Sequence, residues 1–254
     1  MNALLLAGGV FVILGVSTAA GMAARDRLPS HHLNTESKEV IRLATAIVGT
    51  LAALALGLLI ASANSDYKDA QTELDATAAR IVLLDRLMAQ YGPETTDARD
   101  ILRQVIENRL ERGWTIETSD DQSAGRASAY KQIETVQGKL RALEPQDQVH
   151  RLIQSRALEV SGNVAEGHWL QIESADEGLP WGFFIVLVYW LALLFGTFGL
   201  QAPANPTVLA IIIVCALSVA GAVFAISDMA NPYAGFIQVS DQPLQGALSR
   251  LGGA

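Results

Sequence analysis

The sequence predicts an all-α membrane protein, with four transmembrane helices and a helical extramembrane bundle inserted between the second and third. Three observations predict it. The runs Asn2–Ala24, Leu43–Ala63, Trp181–Gln201 and Thr207–Ser227 contain no Asp, Glu, Lys, Arg or His, and each is close to the length a helix rising 1.5 Å per residue needs to cross hydrocarbon. The charged residues, 17% of the chain, fall mainly between the second and third runs, so different parts of the chain are matched to different solvents. Within that charged segment the apolar residues recur at helical spacing. The resulting divisions are a first transmembrane hairpin with a short basic loop (1–63), a soluble helical bundle (64–180), a second hairpin (181–227) and a C-terminal tail with a short amphipathic helix (228–254).

The first run ends in small residues, as a secretory signal does. It lacks a basic n-region, however, and its apolar stretch is longer than a signal's, so it reads as a retained span. In the loop Arg25–Arg42, Pro29 ends the exit from the first span. Asn34 or Thr35 is placed to cap the next helix, and Glu36 and Glu39 fall in its first turns, where the helix dipole favours acids. His31 and His32 admit three readings: solvated loop residues, partners of anionic headgroups or of Glu36, or a pH or metal sensor in which Glu36 takes part. His32, Glu36 and Glu39 make too sparse a ligand set to assign a metal.

In the second run Gly49, Ala53, Gly57 and Ala61 recur every four residues. Such a ridge of small side chains permits either close helix packing or the lining of a pore. Thr45, Thr50 and Ser62 are its hydroxyls, and a threonine can satisfy itself on its own helix's carbonyls. After Ser65, the stripe Leu74, Ala78, Ile81, Leu84, Met88 and Tyr91 continues the helix as a stalk until Gly92-Pro93 stops it. Further helices are expected over Thr96–Leu110, from Tyr130 to Leu143, and from Val149 to Ile172. The last of these has Val149, Leu152, Val160 and Val164 as its buried stripe. Trp114 lies in the polar linker between the first two. The third span is aromatic, with Trp181 and Phe183 as interfacial anchors, and the APANP turn leads into the fourth.

The segment 64–180 carries 21 acidic and 13 basic side chains, a net of −8, which argues against nucleic acid as a partner. No phosphate-binding, nucleophile-elbow, dinucleotide or zinc-protease motif occurs, so the reading is a protein that is not an enzyme and has no cofactor. Spans without ionisable groups argue against a proton-driven pump and leave a passive pore or a structural protein. Cys215 is the single cysteine, so no intrachain disulfide forms. Arg25, Arg27, Lys38 and Arg42 stand in the short loop, and the positive-inside rule puts that loop in the cytoplasm and the large segment outside.

The stretches LPSHHLNTESKEV, LGLLIASANS, LLDRLMAQYG, WLALLFGTFGLQAPANPTV and NPYAGFIQVSDQPL together resemble the bacterial bestrophin-like domain family. The resemblance spans nearly the whole chain. It implies a homo-oligomer in the bacterial inner membrane whose partners are lipid and inorganic ions, with anions suggested by the link to bestrophin chloride channels. It also implies a cytoplasmic helical domain, opposite to the charge count, while the acidic segment would concentrate cations. Two functions follow: a passive ion channel, or a membrane scaffold or sensor that binds a protein through its helical domain.

Overall fold

The computed structural model describes residues 3–29, 35–112, 131–177, 181–203, 205–233 and 235–251. Among them there is no strand. The helices are α1 (Ala3–Arg27), α2 (Thr35–Tyr91), α3 (Thr96–Arg112), α4 (131–141), α5 (Gln148–Glu177), α6 (Trp181–Gln201), α7 (Pro206–Met229) and α8 (Gln242–Arg250). Four of them, α1, α2, α6 and α7, are long and apolar enough to cross a membrane. The chain forms two compact units: Met1–Asp66 with Gly178–Asn231, and Tyr67–Glu177 with Pro232–Ala254. α2 contributes to both as one uninterrupted 57-residue helix, about 85 Å long at 1.5 Å per residue.

In the first unit the buried side chains come from all four apolar helices. Leu14, Leu187, Val223 and Ile226 are within 1% of full burial, and Ala52, Leu59 and Ala63 are α2's share of this core. α7 starts as its sequence dictates. Asn205 Oδ1 accepts the Thr207 amide at 3.0 Å as an N-cap, and Pro206 supplies the first turn without a wasted donor. At its other end α7 runs past Ser227 to Met229 and takes in Asp228, which is 1% exposed. The fourth span thus ends on a buried carboxylate that the expected boundary left out.

The second unit is built round the periodic stripe of α2. Leu74, Ala78, Ile81, Leu84 and Met88 are buried against Leu102 and Ile106 of α3, Val136 and Leu140 of α4, and Val160 and Val164 of α5. Val239 and the α8 residues Leu244 and Ala247 complete this core, so the C-terminal residues belong to the same unit. Gly92 makes the turn from α2 into α3 at φ +132°, a region open essentially to glycine alone. Thr95, 1% exposed, closes the turn by donating its hydroxyl to Met88 O at 2.6 Å and Gly92 O at 2.8 Å. Asp85 and Arg99 then join α2 to α3 by a two-pronged pair at 2.7 and 3.1 Å. Asp85 is 2% exposed, and the hydrogen bond to it raises the Arg99 pKa above its ordinary value, so loss of either partner would strand a desolvated charge. Asp147 caps α5, accepting His150 N at 2.8 Å. That bond holds its carboxyl below the usual range. Burial pushes the Tyr233 phenol up to about 12, which keeps it neutral across physiological pH.

The expected stripe of α5 is wrong at its start. Val149 and Leu152 are 63% and 66% exposed. Polar residues take the inward positions instead: the His150 ring meets Tyr91 edge-on at 5.1 Å, and Gln154 Nε2 donates to Leu140 O at 2.8 Å and Leu143 O at 3.0 Å, satisfying carbonyls at the end of α4. Ala157, Val160 and Val164 continue that face. A stripe chosen by apolarity alone follows the wrong side of the helix for two turns.

Candidate ion path and its flanking groups

The residues singled out on α2 divide between two faces. At 100° per residue, Gly57 lies roughly 140–160° around the helix from Ala52 and Leu59, so ridge and core are on opposite sides. Ala53, Gly57 and Ala61 are exposed, and a Cβ at Gly57 would meet nothing within 4 Å. Gly49 is half-buried, and its Cβ would reach Leu194 Cδ2 at 3.7 Å. The difference is geometric: four residues turn a helix by roughly 400°, so a four-residue ridge drifts about 40° per step. Its first member faces α6 and the rest turn away.

The two threonines separate in the same way. Thr45 donates to Ile41 O at 2.7 Å and lies 3.3 Å from the Thr197 hydroxyl of α6, within the chain's own packing. Thr50 is exposed on the ridge side, its hydroxyl returned to Ala46 O at 2.9 Å. Both hydroxyls are satisfied by their own helix, as β-hydroxyl residues in apolar helices commonly are. The outward face therefore comprises Thr50, Ala53, Gly57 and Ala61, bordered by exposed Leu54 and Leu58. It presents small and apolar groups and no charge.

The close helix contact that small residues permit lies elsewhere, between α1 and α6. A Cβ on Gly21 would overlap the Gly196 carbonyl and come within 2.9 Å of Leu200 N, and one on Gly199 would overlap Thr18 O and come within 2.9 Å of Thr18 C. The neighbours on both sides are backbone, so only glycine fits. Thr18, 4% exposed, returns its hydroxyl to Leu14 O at 2.9 Å, so its buried donor is satisfied within α1. The sequence signal was present, Ser17, Thr18 and Gly21 on one helix and Gly196 and Gly199 on the other. A search for strict four-residue ridges passes over it.

At the end of the unit where α1 leaves and α2 begins, two guanidiniums reach the turn between α6 and α7. Arg25 Nη1 donates to Ala202 O, and Arg42 Nε donates to Gln201 Oε1 at 3.4 Å. Glu36 stands exposed in the first turn of α2. His31 and His32, the candidate sensors, lie outside the described residues, as do Asn34 and Trp114. Among the described residues no group of three His, Cys, Asp or Glu side chains could hold a metal.

A helical protein with four membrane-length apolar helices, one of them continuing far beyond that length, is the class this fold defines. A model of the bestrophin-like domain matches residues 10–244, and the chain belongs to the bestrophin-like family. No curated protein matches it. Among solved structures, a bacterial bestrophin homologue from Klebsiella pneumoniae carrying a leucine-to-threonine substitution is similar, with 11% identity, a TM-score of 0.62, and coverage of 95% of this chain and 97% of that one. A proline-to-alanine variant described as a membrane protein is similar to the same degree, at 11% identity and 0.62, covering 96% of this chain and 99% of its own. At that identity the likeness is one of fold.

Proposed function

We propose that the protein is one subunit of an oligomeric, passive ion channel in which the outward face of α2 lines the conduction path. Membership of the bestrophin-like family over residues 10–244 carries the reading. The placement of Thr50, Ala53, Gly57 and Ala61 on the face of α2 away from the chain's own core supports it, since a path between subunits must be lined by residues that the isolated subunit leaves uncovered. Anions are the ion that the family suggests. The net −8 of segment 64–180 favours cations if that segment forms the entrance. Purified protein in sealed liposomes tests the proposal: a chloride or potassium gradient collapses faster than in protein-free vesicles if the protein conducts. Vesicles that stay sealed at high protein load support the scaffold reading instead.

The same reading makes Tyr67–Glu177 the core of an extramembrane bundle inserted between the second and third spans, in an inner-membrane protein. Arg25 and Arg27 lie in the last turn of α1, and Lys38 and Arg42 in the first turns of α2, rather than in the connection between them; as basic flanks of that short connection they support a cytoplasmic side for it. The bundle, at the other end of α2's apolar stretch, is then extracytoplasmic. With Cys215 replaced, a cysteine at His32 is expected to be shielded from an impermeant thiol reagent in intact cells, and one at Asp120 to be labelled. The reverse pattern puts the bundle in the cytoplasm, as the resemblance to bestrophins implies.

A further inference from the structure

At the basic end of the first unit α2 touches α6 through Thr45–Thr197 and Arg42–Gln201, yet α2, α6 and α7 do not fill the space they share. They leave an open crevice of about 720 Å³ between them, within the 300–1,000 Å³ typical of small-molecule sites. Its mouth carries Arg42 and Gln201, and its walls are almost wholly apolar, including Leu194, Phe198, Ile212 and Cys215. The crevice is elongated. From Arg42 to Gly49 on α2 and from Val208 to Cys215 on α7 the lining runs along about 10 Å of each helix, at 1.5 Å per residue. Among the described residues Arg42 donates to the neutral Gln201 side chain, and Arg25 to a backbone carbonyl. Among the described residues neither guanidinium is ion-paired with a carboxylate.

A charged head at one end of an apolar slot between apolar helices fits a ligand with one anionic group and one hydrocarbon chain. We infer that the crevice binds an anionic phospholipid, with its phosphate at Arg42 and an acyl chain laid between α2, α6 and α7. A soluble anion would leave the apolar walls wet, and a zwitterionic lipid would bring its own cation to the guanidinium. Guanidinium is suited to the phosphate because it offers several donors in one plane. The inference does not depend on conduction, since the crevice shares only Gly49 with the ridge and none of Ala53, Gly57 and Ala61.

Cys215 is exposed in the crevice and, as the only cysteine, reports on its occupancy. The full-length protein in a neutral detergent is treated with N-ethylmaleimide after addition of phosphatidylglycerol or of phosphatidylcholine with the same chains. Phosphatidylglycerol is expected to slow the modification roughly tenfold relative to phosphatidylcholine, the effect of one charge-assisted contact. Arg42→Gln should remove the difference, and glycerol phosphate without chains should give no protection. Ile212→Trp, which fills the slot, should make the rate insensitive to either lipid. Equal protection by both lipids, or protection by glycerol phosphate alone, overturns the inference. So does a cysteine that is unreactive in the intact oligomer under every condition and reactive once the oligomer dissociates, because a second copy of the chain then occupies the crevice.

Discussion

Gly57→Leu should abolish flux while leaving the oligomer at its wild-type size. Gly57 sits at the centre of the outward face of α2, with open space where its Cβ would be, so the isolated subunit accepts the larger side chain without strain. Around a shared axis the same leucine enters once per subunit. A ring of isobutyl groups then narrows the path and raises the cost of wetting it, the means by which apolar constrictions close channels. If the ridge is instead a seam between subunits, the leucine pushes two backbones apart, and the particle should shrink or aggregate on size exclusion. Flux and size measured on one preparation separate these outcomes, and normal flux from an intact oligomer removes this face from either role.

Gly199→Leu is expected to destabilise the first unit strongly. Its Cβ would overlap the Thr18 carbonyl and crowd Met22 N at 3.1 Å, and neither is a side chain that could rotate away. Overpacking of a rigid site costs about 1–3 kcal/mol, and a clash of backbone on backbone belongs at the upper end, about 3 kcal/mol. Measured as thermal unfolding in detergent, the variant should lose its cooperative transition or show it many degrees lower. Gly138→Leu, at a position where a Cβ meets nothing within 4 Å, is the matched control and should lie close to the wild type. A Gly199→Leu protein as stable as the wild type would mean that α1 and α6 do not touch as described.

The four spans and the buried stripe from Leu74 to Met88 were legible because each is a strong periodic or compositional signal repeated over many residues. Apolar length marks a span whatever its neighbours are, and a stripe that recurs every three or four positions survives one exception. The start of α5 was not legible, since there the inward positions go to His150 and Gln154, whose partners are a ring and two carbonyls supplied by other helices. Asp228 was excluded from the fourth span because a charge ordinarily ends one, yet in the structure it is buried in the last turn of α7. The glycine seam was missed for a different reason: Gly196 and Gly199 are three apart, and their meaning appears only when Thr18 and Gly21 of another helix are set against them. On α2, the ridge residues and the threonines Thr45 and Thr50 follow one another in the sequence, and the turn of the helix separates them, sending Thr45 towards Thr197 and Gly57 outward.

The central claim, that the outward face of α2 lines the conduction path, is tested most directly by cysteines placed along it in a background lacking Cys215. Single cysteines at Ala53, Gly57 and Ala61, and one at Ala52 on the core face, would be reconstituted and challenged with a charged methanethiosulfonate reagent while flux is recorded. Modification at Ala53, Gly57 and Ala61 is expected to block flux, and the reagent to leave the Ala52 variant unaffected. Undiminished flux after complete modification of the three outward positions would contradict the claim.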